Sequence, residues 1–155
     1  MKKLKYLAFV LLFFVAAGIA AASGCDGAGG CYVLPSASGT TCADWGANAC
    51  SIATALALPS ATVRGATIWV GAGTYTNGGN GFLINYADSG TSVVTFQAPT
   101  ISSHGTATGW SNAFVGQALF TGGRASFAGN HGSVVDIETD YVTWNGAYSE
   151  KLSPV

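Results

Sequence analysis

Residues 65–75 read GATIWVGAGTY, residues 81–86 read GFLINY and residues 92–98 read SVVTFQA, the last two joined by ADSGT. Phe82, Ile84 and Tyr86 alternate with Leu83 and Asn85, and Val94, Phe96 and Ala98 alternate with Thr95 and Gln97. A period of two marks strands with one buried face. Each run is too short and too one-sided to be stable alone. A strand, a Gly-punctuated turn and another strand, repeated, predict a solenoid. In a solenoid the chemistry sits on a few outward side chains, so this pattern speaks to architecture before activity.

Upstream, Thr67 to Gly71 supplies a first strand with Ile68 and Val70 on one side and Trp69 on the other. The spacing of Ile52 and Leu56 predicts a helix over Cys50–Leu58, with Ser51 as N-cap and Pro59 as the stop. Before it, Ser23–Ala49 is rich in Gly, Ala and Cys and reads as an irregular lead-in. Downstream, Pro99–Asn130 is loop-like, interrupted by ALF and RASF. Regularity returns at Val134–Glu138 and Tyr141–Asn145, either side of a turn at Thr139 and Asp140. Phe82, Ile84, Tyr86, Val94, Phe96, Val135, Ile137, Val142 and Trp144 are therefore expected to face one continuous interior.

The first 22 residues combine a basic start (Lys2, Lys3, Lys5), an apolar run from Leu7 to Val15 and a small-residue tail ending at Ala22. This is the pattern of a secretory signal cleaved after Ala22, and the strongly apolar run falls short of the ~20 residues a membrane span needs. A competing cut precedes Cys25, because ASGC is similar to a bacterial lipobox that would attach lipid to that cysteine; Ala22 stands where such boxes prefer Leu. Cys25, Cys31, Cys42 and Cys50 are an even set in an exported chain, which favours two disulfides. Three pairings are arithmetically open. The compact loop CADWGANAC favours Cys42 with Cys50, leaving Cys25 with Cys31. Zinc is the rival reading, and neither CxxC spacing nor a nearby histidine supports it.

About 130 residues remain after the signal, enough for one modest domain. The chain is read as a signal (1–22), a disulfide-tied lead-in with a capping helix (23–66), and regular strands (67–155). Charged residues make up only 8% of it and the formal net charge is -1, so there is no basic surface to neutralise a nucleic-acid backbone. With 49% hydrophobic residues and 22 glycines, the composition suits an exported β protein better than a disordered linker.

YVLPSASGT, CADWGANACSIATALALPS, GATIWVGAGTY, INYADSGTSVVTFQA and VVDIETDYVTWNG together resemble the opening of secreted right-handed parallel β-helix proteins of the pectate-lyase-like superfamily. The resemblance covers almost all of the chain after the signal. It implies an all-β solenoid in which the leading strand and helix cap the top, the I-W-V strand starts the first coil, and strand-S-G-T-strand makes a corner between two sheets. It also implies a polysaccharide partner. Members include lyases acting on acidic polysaccharides, other polysaccharide-degrading enzymes, phage spikes and surface proteins without assigned activity. Family members stack many coils and close the lower end with a second cap, whereas this chain stops soon after the Tyr141–Asn145 strand. It is accordingly expected to be the N-terminal portion of a longer protein, or a truncated gene product.

In the lyases of that superfamily, outward acidic side chains bind calcium and a basic residue removes a proton next to a carboxylate. Asp136, Glu138 and Asp140 occupy alternate positions and would share an outward face if the strand continues. Hard oxygen ligands there could hold calcium; a solvated strand exterior is the alternative. Arg124 and Lys151 are the basic side chains read as candidate base or carboxylate clamp, with surface solubility as the other role. His104 and His131 lie in Gly- and Ser-rich loops without metal-ligand spacing. Trp69, Trp110 and Tyr148 could stack on sugar rings. Trp45, Trp69 and Trp110 serve equally as cover over the cap and loops. The first functional reading is a secreted polysaccharide-active enzyme, a lyase, of which this chain holds the cap and first coils. The second is a non-catalytic surface, adhesion or carbohydrate-binding module.

Overall fold

A computed structural model describes residues 25–77, 81–87, 91–122 and 135–145. The signal segment, Arg124, His131, Tyr148 and Lys151 lie outside the described residues, as does the side chain of Asp136. The elements in chain order are β1 (Gly30–Val33), α1 (Ile52–Leu56), α2 (Ser60–Val63), β2 (Thr67–Val70), β3 (Gly73–Thr76), β4 (Phe82–Ile84), β5 (Val94–Gln97), a 3₁₀ turn (Asn112–Phe114), β6 (Ala118–Thr121), β7 (Val135–Ile137) and β8 (Val142–Asn145).

Every strand pair is parallel. One sheet runs β1-β2-β5-β8, a second pairs β3 with β6, and a third pairs β4 with β7. From β2 onward the chain visits the three sheets in a fixed order, repeats it, and returns to the first. Parallel neighbours cannot be joined by a tight hairpin, so each return takes a long excursion through the other sheets.

The fixed register stacks like on like. Cys31, Ile68, Phe96 and Trp144 form one inward row of the first sheet. Phe96 and Trp144 stack with ring centroids 5.0 Å apart, as do Tyr75 and Phe120 in the second sheet. Phe120 then meets Phe82 edge-on at 5.3 Å and Trp144 at 5.4 Å, so side chains from all three sheets close one core. Ile84 is 1% exposed while Asn85 beside it is exposed, which fixes the register of β4.

Glycine is required at the corner between β2 and β3. Gly73 has φ +133°, and a Cβ there would lie 2.5 Å from Cγ of Pro35.

The structure corrects four details. The lead-in is not wholly irregular, because β1 lies within it, buried throughout and paired along its length with β2; a Gly-Cys start hides so short a strand. The predicted helix is shorter than expected, and a second short helix follows it. Ser51 does cap α1, its Oγ accepting from the Thr54 N–H at 3.1 Å, and α1 ends at Leu56, before Pro59, which in turn leads into the unforeseen α2. Proline disfavours a helical residue before it, yet its fixed φ suits a helix entry. Third, Tyr141 is not in the last strand: its φ of 56° makes it part of the preceding turn, and it is exposed. Fourth, Ile137 does not join the interior. It is 46% exposed, because β7 is the outer member of its sheet and no described strand lies beyond it.

Candidate functional site

The outer face of the first sheet carries the molecule's second apolar cluster. Tyr32 of β1 and Trp69 of β2 are register partners, and both point away from the main core. Trp45 from the Cys42–Cys50 loop packs on Tyr32 at 5.0 Å. The segment 98–117 then folds back over this face and adds Trp110 and Phe114, each within 6 Å of Trp45 by ring centroid.

Polar groups fasten that segment down. The Trp45 indole N–H donates to the His104 carbonyl at 2.8 Å, and the Trp45 amide to the Thr108 carbonyl at 3.0 Å. The Tyr32 hydroxyl donates to Oδ2 of Asp26 at 2.6 Å and accepts from the backbone of Thr106 and Ala107. Burial, reinforced by the Asp26 carboxylate, pushes the Tyr32 hydroxyl up to about 12. Gly105 lies so close that a Cβ would approach the Tyr32 hydroxyl to 2.5 Å. The His104 ring stacks on Trp110 at 4.0 Å, and its Nδ1 is buried with no hydrogen-bond partner among the described residues.

This cluster settles where two of the candidate aromatic residues sit. Trp69 is 9% exposed and serves as cover between Tyr32 and the folded-back segment. Trp110 is half-buried, one face taken by His104. Tyr148 and Arg124 fall outside the described residues. Glu138 and Asp140 are exposed, but β7 ends at Ile137, so both belong to the turn after the strand. Among the described residues no three His, Cys, Asp or Glu side chains gather closely enough to hold a metal.

The disulfides join Cys25 to Cys31 and Cys42 to Cys50. The Cys25 sulfur is thereby bonded to Cys31. Two such bridges indicate an oxidising or extracellular setting. No helix among the described residues is long and apolar enough to cross a membrane.

Sequence reasoning passed over Arg64, a cation that the fold uses heavily. The Arg64 guanidinium donates to the carbonyls of Tyr86 (3.0 Å), Ala87 (3.1 Å), Ser92 (3.4 Å) and Asp140 (2.9 Å), and to Oγ1 of Thr139 (2.8 Å). It thus bolts together successive corners between the third sheet and the first. The one usable signal was its position, a lone arginine just before Gly65 and the first regular strand in a chain so poor in charge.

Compared with known proteins, the chain matches no family model, no curated protein and no solved structure.

Proposed function

We propose that this chain is the capped upper end of an exported right-handed parallel β-helix, similar to the pectate-lyase-like superfamily, and that it belongs to a protein acting on acidic polysaccharide. The observation that carries the architecture is the repeated visiting order of three parallel sheets with inward residues in register. Right-handedness follows from the strong preference of parallel crossovers for that hand. Export, with a signal over residues 1–22, fits the two disulfides. The polysaccharide assignment rests on the resemblance of the corner and strand motifs, with Trp110, Tyr148 and Arg124 as the side chains proposed to meet sugar, and with calcium proposed at Asp136, Glu138 and Asp140.

The test is a screen of the full-length gene product on pectins, alginates and glycosaminoglycans with and without calcium, following unsaturated uronate by ultraviolet absorbance. Release of unsaturated product supports the lyase reading. Binding without product in every case rejects it.

A second reading, a non-catalytic surface module that holds carbohydrate, is favoured by the low charge of the chain and its abundant glycine. Retention of glycan by a chain that never cleaves it would select this reading.

A further inference from the structure

The outer face of the first sheet changes character half-way down. At β2 it is closed by segment 98–117 over Trp69, which is the register partner of Gln97. Below that line β5 and β8 are paired along their whole length, Thr95 beside Thr143 and Gln97 beside Asn145. Phe96 and Trp144, on the inner side of the same two strands, stack at 5.0 Å, so the four outward side chains stand on a backbone held from behind. Thr95 and Gln97 are half-buried, and Thr143 and Asn145 are exposed. Parallel pairing sets neighbours across the strands about 4.8 Å apart and outward residues along a strand about 6.6 Å apart. None of the four side chains makes a hydrogen bond within the protein as described. Two hydroxyls and two carboxamides thus present both donors and acceptors outward, with no formal charge among them. Tyr141, 48% exposed just before β8, adds an aromatic ring.

We infer that the outer face of β5 and β8 binds a neutral glycan, its hydroxyls exchanging hydrogen bonds with Thr95, Gln97, Thr143 and Asn145 and one of its rings lying on Tyr141. A sugar hydroxyl is donor and acceptor at once, and a threonine hydroxyl and a carboxamide supply the same pair of functions, so the two surfaces match without an ion pair. The tyrosine ring gives the apolar face of a pyranose its contact area. An acidic polymer is the wrong occupant, because carboxylates are held best by a guanidinium or ammonium. Neither stands among these residues, and the chain as a whole has a formal net charge of -1. A paired backbone keeps the four groups in place before the ligand arrives, which lowers the ordering cost of binding. The reading of the chain as a module that holds carbohydrate is the premise, and this face makes that carbohydrate an uncharged one.

The test is affinity electrophoresis of the oxidised chain through gels holding galactomannan or xyloglucan, with polygalacturonate and alginate as the acidic comparison. The neutral polymers are expected to retard the chain and the acidic ones to let it pass. Q97A/N145A should weaken binding to the neutral polymer about tenfold, and Thr143→Val, which keeps the side-chain shape and removes the hydroxyl, should weaken it by a smaller factor. Unchanged urea midpoints show that both variants remain folded. Thr74→Val, at an exposed position on β3 of the second sheet, should bind as the wild type does. Neutral retardation that survives both Q97A/N145A and Thr143→Val overturns this face as the site while leaving the chain a holder of carbohydrate. Retardation by the acidic polymers alone overturns the neutral assignment. No retardation by any of the four overturns it together with the carbohydrate-holding reading. A chain that dimerises in light scattering, and loses the dimer in Q97A/N145A, overturns it by giving the face to a second copy.

Discussion

The two ends of the first sheet are built from the same kind of strand and end up in opposite conditions. At the upper end, β1 has both faces and its free edge covered: the main core on one side, the Trp45 cluster on the other, and the cysteine loop along the edge. At the lower end, β8 carries Val142 and Trp144 only partly buried, and its neighbours Ile137 and Tyr141 stand in solvent. Sequence pattern alone does not separate them, since VTWN alternates as faithfully as TIWV. The difference lies in what stacks on each strand. Between parallel strands in register, how well a side chain is buried is largely a property of what packs against its strand.

The sharpest way to break this comparison uses one register pair. Ile84 and Ile137 face each other across β4 and β7, yet one is sealed and the other open. Ile84→Asp buries an unpaired carboxylate and should cost several kcal/mol, on the order of 4; Ile137→Asp should change stability by less than about 0.5 kcal/mol. Urea unfolding of the two variants decides it, and equal losses would mean that the lower end is as well packed as the upper. A second contrast runs down the stacked row of the first sheet. Phe96→Ala should lose about 3–5 kcal/mol, as full burial dictates, and Trp144→Ala about half of that, read from the same denaturation curves.

Arg64 ties together the two turns that lead from the third sheet to the first. Arg64→Lys keeps the charge but loses the planar fork and two of its five donors. A loss of about 1–2 kcal/mol is expected, with faster amide exchange at the corner residues 86–87 and 139–140 and little change at β1. If β1 loosens equally, the corner and the upper end are one cooperative unit.

The smallest effect is one of pH. Tyr32 holds its proton up to about 12 in the folded chain, against an ordinary value of 10.0. A raised pKa means that its contribution is complete below pH 10 and fades as pH climbs from about 10 to about 12. Tyr75 and Tyr86, raised further by burial, act in the same sense. Tyr32→Phe should lose about 1 kcal/mol at neutral pH through its bonds to Asp26 and the 106–107 backbone, and part of the alkaline decline should vanish from a pH series of thermal melts.

What the sequence made legible was the local alternation. Phe82, Ile84, Tyr86, Val94 and Phe96 announce their inward face by period alone, and all five are buried. Ser51 announces its cap by chemistry. What stayed illegible depended on partners far along the chain. Ile137 carries the same inward signature as Ile84, and nothing local says that its outer neighbour is absent among the described strands. Trp69 looks like a sugar platform until segment 98–117 returns to cover it. Arg64 reads as an ordinary surface cation because its acceptors lie 22 to 76 residues away. Of the candidate sugar and calcium residues, Trp69 and Trp110 pack in the aromatic cluster while Glu138 and Asp140 lie in the turn after β7, and a site made of outward side chains leaves no periodic trace.

The all-parallel pairing also has a consequence for how the chain finds its shape. No strand pair here can close as a hairpin, so every ladder requires a wide loop to be shut before any of its bonds is gained, and the entropy of that closure rises with loop length. The narrowest such closure brings Thr67 to Thr95, and the widest brings Phe82 to Val135. Assembly should therefore begin in the middle of the first sheet, at β2 with β5, and spread outward to both ends. Stopped-flow folding would show this as slowing by Ile68→Val and not by Val142→Ala.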